Sequence, residues 1–494
     1  MSSVHLPVYV MVILLSTALI IPLADKLTNI EIKIYISYCM IIATLFSVSS
    51  LVRVLTLGPY VYHFGLWNPA IGVEFVVDEF SAAMCVLVMA LSTLVIFYSY
   101  SDIEHEIRPR LVAGYYTLIF LMLFSMIGMI FTNDLFNLYV FMEILSLTSC
   151  GIVSIKRKKE NILASMKYLI LGTIGSVSIL MGIAFLYMVT GTLNMSMNYE
   201  LIQHAWEIYP RNILVALGFM MTGFGIKAAV FPLHTWLPDA HSTAPTPSSA
   251  LLSGLVVKIY IFAAIKMMYR VIGMEIIRQV DIPLFMTYFA MVGMIMGSIF
   301  AIGQKDIKRM LAYSSVAQIG YIVLGIGLAT QRGLSVALFH VVTHALMKTA
   351  LFLSAGAVIY RTGKRNVAEM EGIGYQMPIS MIVFSIGALG MIGIPGINGF
   401  MSKWYLSFAV LEADRPLVLL VILVSSFLNA VYYMPIIISA FLRESKEHEN
   451  VLRKDDLPVM MTGPMVVIAF LCILFGFFPQ LVMNVAERAM LTFM

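Results

Sequence analysis

The chain has 494 residues, 60% of them hydrophobic and 12% charged, with a formal net charge of +4 and a mean hydropathy of +0.93. No water-soluble domain holds that much apolar sequence, so lipid is the main solvent and the expected fold class is an all-α integral membrane protein. The positive balance does not mark a nucleic-acid binder, because Lys and Arg sit in loops beside apolar spans, the ordinary topogenic placement.

The first apolar run, residues 6–24, has no Lys or Arg before it and no small-residue cleavage pattern after it. It reads as a retained helix rather than a signal peptide. Further spans are predicted near 34–57, 79–100, 111–132, 134–155, 165–190, 212–232, 247–269, 282–302, 308–329, 334–360, 379–411, 414–442 and 461–483. This makes about fourteen transmembrane helices. No soluble stretch between them is long enough for a catalytic or nucleotide-binding module. Cys39, Cys85, Cys150 and Cys472 stand singly in apolar segments, without the spacing of a disulfide framework, zinc site or iron–sulfur cluster. They read as small core residues, and neither a catalytic or redox centre nor a cofactor or metal site is expected on this chain.

Loops after odd-numbered spans hold Lys26, Lys33, Arg108, Arg110, Lys156, Arg157, Lys158, Lys159, Lys305, Lys308, Arg309, Arg361, Lys364, Arg365, Arg443, Lys446, Arg453 and Lys454. The other side holds only Arg53, Arg211, Arg270, Arg278, Arg332, Arg415 and Arg488. The positive-inside rule therefore places both termini on the outer side of the cell membrane.

Six lysines remain, all within predicted spans: Lys167, Lys227, Lys258, Lys266, Lys348 and Lys403. A charge at membrane depth usually faces a bundle interior or wet cavity and marks a transport path. Lys167 and Lys266 lie near span ends, where snorkelling to the headgroups is the preferred reading. The other four sit deeper. Glu143 is an isolated acid in the span 134–155, and it needs a buried cation. Lys227 is its expected partner; a static ion pair is the plain alternative. Separating such a pair frees a proton from the lysine, whereas proximity retains it. His340, His344 and Lys348 recur at intervals of four and project from one helical face. Such a stripe suits a proton relay, since histidine both accepts and donates near neutral pH. A packing role for one histidine is the alternative; a metal site would lack further ligands nearby in sequence.

Two spans carry helix-breaking chemistry. Lys227-Ala-Ala-Val-Phe-Pro232 runs on to Pro238, Pro245 and Pro247, and Gly390-Met-Ile-Gly-Ile-Pro395-Gly-Ile-Asn-Gly399 precedes Lys403. Broken backbone at membrane depth lines cavities, and freed carbonyls would face water or a cation. The breaks lie five spans apart, so spans four to eight and nine to thirteen would be two inverted five-helix repeats. The expected divisions are 1–110 (three helices), 111–270 and 281–442 (the repeats) and 443–494 (a loop and the last helix). Direct similarity between the halves is faint, as in Ala164-Ser-Met-Lys167 beside Ala345-Leu-Met-Lys348.

Several segments resemble the antiporter-like subunits shared by Mrp-type cation/proton antiporters, respiratory complex I and membrane-bound hydrogenases. They are Gly72-Val-Glu-Phe-Val-Val-Asp78, Asn133-Asp-Leu-Phe-Asn-Leu-Tyr-Val-Phe-Met-Glu143, Lys227-Ala-Ala-Val-Phe-Pro-Leu-His-Thr-Trp-Leu-Pro-Asp-Ala-His241, Ala244-Pro-Thr-Pro-Ser-Ser-Ala-Leu-Leu-Ser253, Gln304-Lys-Asp-Ile-Lys-Arg-Met-Leu-Ala-Tyr-Ser-Ser315, His344-Ala-Leu-Met-Lys-Thr-Ala-Leu-Phe-Leu353 and Gly399-Phe-Met-Ser-Lys-Trp404. The resemblance, strongest to the D-type component of Mrp antiporters and its hydrogenase counterparts, implies fourteen helices with two inverted repeats. It assigns Glu143 and Lys227 to an ion pair, and continues a hydrated axis through Lys258, His340, His344, Lys348 and Lys403. It also implies other membrane subunits as partners and protons, with sodium as a second candidate, as cargo. Pro395-Gly396 stands where complex I subunits often have two prolines, and some carry an acid where Lys403 stands. Alternatives are a complex I-type proton-pumping subunit and a stand-alone solute transporter.

Overall fold

The computed structural model describes residues 3–27, 32–65, 72–443 and 457–491. Helices α1 (Leu6–Leu27), α2 (Ile32–Leu57) and α3 (Glu79–Glu106) come first. Between α2 and α3 lies an antiparallel ribbon that the hydropathy pattern does not signal, β1 (Tyr60–His63) with β2 (Glu74–Val77), paired Tyr60 to Val77. There follow α4 (Val112–Phe131), α5 (Leu135–Ser154), α6 (Lys159–Thr190), the short α7 (Met195–Ile208), α8 (Pro210–Lys227) and α9 (Leu237–Thr243). Next come α10 (Thr246–Ile272), the short α11 (Met274–Gln279), α12 (Ile282–Ile302), α13 (Ile307–Gly327), α14 (Gln331–Thr362) and α15 (Pro378–Ile392). The chain closes with α16 (Asn398–Glu412), α17 (Pro416–Leu442), α18 (Val459–Phe477) and α19 (Gln480–Leu491). Twelve helices among the described residues are long and apolar enough to cross a membrane. Two further helical segments are broken: α8 gives way to α9 after Lys227, and α15 to α16 between Ile392 and Asn398.

Burial sorts the spans into a centre and a periphery. In α10, α13 and α14, 94% of the most apolar stretch is buried, against 28% in α2, 39% in α6 and 33% in α17. The central helices carry the histidines and two of the deep lysines, so those charges are enclosed by protein rather than lipid. Close approach of α6 and α8 depends on glycine: a Cβ on Gly223 would meet the Gly175 carbonyl at 2.5 Å. Small residues at such crossings let two backbones touch, and here they fix the helix that ends at Lys227.

Two hairpins of the same construction recur 172 residues apart. Asp134 caps α5 by accepting from the Asn137 N–H, and Asp306 caps α13 by accepting from the Arg309 N–H. Helices α6 and α14 both have 32 residues and both end on a left-handed glycine, Gly191 and Gly363. Each hairpin is closed by a backbone bridge, Asp134 to Asn194 and Asp306 to Asn366. The closing bonds match: Leu135 N to Leu193 O at 2.9 Å and Ile307 N to Arg365 O at 2.9 Å. This register corrects one detail expected from the sequence. It sets Lys167 opposite Phe339, so the likeness of Ala164–Lys167 to Ala345–Lys348 is not the structural correspondence.

The ribbon clamps the first hairpin. Glu74 is buried and accepts from Asn133 Nδ2 at 2.7 Å and Asn194 Nδ2 at 2.8 Å. Asp78, the N-cap of α3, forms a capping box with Ser81 and an ion pair with Arg270 at the end of α10. Burial opposes the charge on Asp78, but the Arg270 guanidinium and the Ser81 N–H hold its carboxyl below the usual aspartate range. The segment Gly72–Asp78 thus ties the first hairpin to α3 and to the end of α10.

Candidate functional site

Glu143 projects from α5 and stands 3.6 Å from Lys227 Nζ. The lysine side chain is fully enclosed, whereas the carboxylate is 31% exposed, so the acid opens toward the outside of the chain and the base toward its interior. Ser176 of α6 donates to Glu143. Lys227 donates to Ser146 Oγ at 2.5 Å, and Ser146 shares a 3.2 Å hydrogen bond with the Tyr260 hydroxyl on α10. The helix break sits immediately behind the lysine. Ile226 O, in the last turn of α8, accepts from the Ala229 N–H at 3.1 Å and from Trp236 Nε1 at 2.8 Å.

Lys258 lies on α10 beside a π-type turn, Leu252–Val256, a wide turn often found at functional sites. It donates to Ser253 O within its own helix, and Ser253 Oγ meets Ser315 Oγ of α13 at 2.8 Å. On α14, His340, His344 and Lys348 are all buried. The two imidazoles stack with centroids 5.9 Å apart. Neither ring nitrogen of His344 has a hydrogen-bond partner among the described residues, and the ring lies within electrostatic reach of both Lys258 and Lys348.

Two lines of groups lead toward Lys403, one from Lys348 and one from His340. In the first, Lys348 donates to Leu311 O at 2.7 Å and to Ser314 Oγ, which meets the Tyr433 hydroxyl at 2.9 Å. Tyr433 packs on Tyr432, whose hydroxyl donates to Asn429 at 2.6 Å; Asn429 in turn donates to Met391 O at 3.1 Å. Lys403 donates to that same carbonyl at 2.8 Å and to Ile392 O at 3.0 Å. In the second, His340 Nδ1 and Ser402 Oγ are 2.8 Å apart. The His340 ring lies 5.6 Å from that of Tyr321, which has Lys403 Nζ 4.8 Å from its centre. The carbonyls freed at the second break thus hold the lysine ammonium, where the sequence pattern alone suggests water or a cation. The physical reason is reach: Lys403, eleven residues beyond Ile392, folds back over the gap between α15 and α16.

The structure gathers Glu143 with Lys227, and Lys258, His340, His344, Lys348 and Lys403 in a buried series on α10, α14 and α16. Two of the sequence assignments change. Lys266 does not snorkel: it is buried and donates to Ile130 O at 3.1 Å and Thr132 O at 2.6 Å, the C-terminal carbonyls of α4. Lys308, counted as a loop residue, is buried in the first turn of α13. Lys167 is exposed, its side chain pairing with Asp239 at 2.6 Å. The bridging residues Ser146, Ser176, Ser314, Tyr433 and Asn429 are not singled out by sequence. Only polarity within apolar spans signals them.

The profile described as NADH:quinone oxidoreductase/Mrp antiporter, transmembrane, matches residues 132–429, which covers the axis from Glu143 to Lys403. The NADH-quinone oxidoreductase subunit N of Desulforudis audaxviator is 35% identical over 99% of each chain. The D-type component of the Na(+)/H(+) antiporter of Alkalihalophilus pseudofirmus is 30% identical, over 80% of this chain and 78% of that one. Among solved structures, a chain of the membrane-bound sulfane sulfur reductase, an archaeal respiratory membrane complex, superposes with a TM-score of 0.90 at 29% identity, covering 98% of this chain and 96% of that one. By this match over more than half its length, set on the same buried axis, the chain belongs to the NADH:quinone oxidoreductase/Mrp antiporter transmembrane family.

Proposed function

We propose that this chain is the ion-translocating subunit of a multi-subunit membrane assembly and carries protons along Glu143, Lys227, Lys258, His344, His340, Lys348 and Lys403. The observation that carries the reading is the enclosure of so many ionisable groups along the interior helices, several of them hydrogen-bonded to hydroxyls and carbonyls, between two helix breaks. A charged side chain at the centre of a helix in lipid costs about 3 kcal/mol on insertion scales, so a chain holding four deep lysines uses them. Chemically, the series combines lysines with a carboxylate and two imidazoles, and an imidazole both gives and takes a proton. Motion at the α8 break that separates Lys227 from Glu143 releases the proton inward, and return of the pair recharges it.

The names of the relatives supply two settings. The antiporter relative points to cation/proton exchange driven by an ion gradient. The longer match, to an NADH-quinone oxidoreductase component, favours a second setting in which a redox reaction on partner subunits drives the same axis. The two hairpins in register belong to inverted repeats spanning 111–270 and 281–442. Ion pairs Arg365–Asp306, Arg309–Asp239 and Lys156–Glu106 join loops and helix ends on the Lys- and Arg-rich side, which is the cytoplasmic side in this reading; Lys446, Arg453 and Lys454 lie outside the described residues. An introduced Arg110→Cys should accept an impermeant maleimide only in inverted vesicles.

The test uses the assembled complex in proteoliposomes with an internal pH dye. Lys227→Ala and Glu143→Ala are expected to assemble normally and lose coupled flux. Full flux in either variant, with normal assembly, refutes the assignment.

A further inference from the structure

Asp102, on the last turns of α3, is buried, and its Oδ2 has no hydrogen-bond partner among the described residues. One helical turn on, Glu106 neighbours it. Glu106 accepts from the Thr246 N–H at 2.7 Å, at the start of α10, and pairs with Lys156. Lys308 donates to Ala244 O at 2.7 Å and lies within electrostatic reach of both carboxyl groups. Glu106 and Lys308 thus both meet the bend 244–246, with Asp102 and Lys156 beside Glu106. Tyr98 and Tyr115 also face the carboxyl pair, Tyr360 faces Tyr98, and Arg365 faces Lys308 while donating to Ser242 O at 2.8 Å.

On one side of this cluster lies a cavity of about 530 Å³, lined in part by Lys156, Lys167, Asp239, Ser242, Asp306 and Arg365. Lys156 both lines it and pairs with Glu106. On the other side lies His241 of α9, fully buried, with neither ring nitrogen hydrogen-bonded among the described residues. It is within electrostatic reach of Lys308, Lys258 and Lys348. We propose that Asp102 and Glu106, with Lys156, Lys308 and His241, form a proton-uptake branch that joins this cavity to the middle of the axis at Lys258 and Lys348. The proposal rests on the reading of the axis as a proton path, and adds an entry to its middle that the transport cycle requires together with the Glu143–Lys227 pair.

The chemistry is that of relay groups. Two carboxyls at i and i+4 can pass a proton between them, and an imidazole can accept at one nitrogen and release from the other. A purely structural clamp on the bend would use its polar atoms. An unpartnered buried polar atom costs about 1–3 kcal/mol, yet both His241 nitrogens are left in that state among the described residues, and Asp102 has the Glu106 carboxyl as its neighbour.

The test is proton flux of the assembled complex in proteoliposomes, comparing Asp102→Asn, Asp102→Glu and Lys227→Ala. Asp102→Asn should lower flux about a hundredfold, the low end for a positioned proton-transfer group. Asp102→Glu should retain it, and a small permeant weak acid such as formate should partly rescue Asp102→Asn. Should Asp102→Asn fail to assemble, the double variant Asp102→Asn/Lys308→Gln, which leaves no unpaired charge, is judged by the same criteria. Wild-type flux in Asp102→Asn beside a dead Lys227→Ala overturns the branch alone. Wild-type flux in Lys227→Ala overturns the axis reading beneath it. Loss in Asp102→Asn without rescue, with Asp102→Glu equally inactive, marks a clamp and also overturns the branch.

Discussion

Lys348 is the residue where relay and fixed charge make different predictions. Its ammonium is held by Leu311 O and Ser314 Oγ in the centre of the protein, and it must lose and regain a proton if it conducts. A guanidinium stays protonated at physiological pH. Lys348→Arg in the complex is therefore expected to assemble and to lose flux by about a hundredfold, the low end of what a positioned proton-transfer group contributes. Wild-type turnover with an unchanged pH profile would show that only positive charge is needed there. The residues of the axis are legible because a lysine among apolar neighbours is conspicuous in a sequence. Lys308 is not, since it is followed by Arg309 and preceded by Lys305, and a basic run reads as a loop. Ser146, Ser314 and Asn429 carry no spacing signature; their role appears only when α5, α13 and α17 are brought together.

At the level of elements, the breaks are where local backbone sets the chemistry. A Cβ on Gly399 would run into the Gly390 carbonyl, one residue before the Met391 and Ile392 carbonyls that hold Lys403. Gly399→Ala should therefore push α16 from α15 and lower both flux and thermal stability of the complex; unchanged melting and flux would show that the gap tolerates a methyl group. The capped start of α3 gives a second expectation. Asp78→Asn leaves Arg270 without its carboxylate, and breaking a buried pair this way costs about 3 kcal/mol, to be read as a lower unfolding midpoint. The sign with pH follows from the lowered carboxyl: this stabilisation is present at neutral pH and is lost only as pH falls through a value below the normal aspartate range. Hydropathy locates the spans, and Pro and Gly locate both breaks. The β1–β2 ribbon and the matched hairpin bridges are not legible, because short pairings between distant loops leave no periodic trace in sequence.

For the whole molecule, peripheral helices decide what the chain needs around it. Phe136, Val140 and Leu147 of α5 and Leu169, Ile170 and Ile174 of α6 are exposed on the helices that carry Glu143 and its donor Ser176. Partner subunits or lipid must cover them. Because Glu143 itself opens outward, the axis is expected to be completed by a neighbour: the chain reconstituted alone should insert yet show little flux, and robust cation-dependent flux lost in Lys227→Ala would instead favour a stand-alone transporter. The central claim is that one connected path runs from Glu143 to Lys403, through both halves. The most direct test is proton flux by the purified complex carrying Lys403→Met, far along the chain from the Glu143–Lys227 pair. The account predicts normal assembly and a loss as complete as that of Lys227→Ala; wild-type flux in Lys403→Met would contradict it.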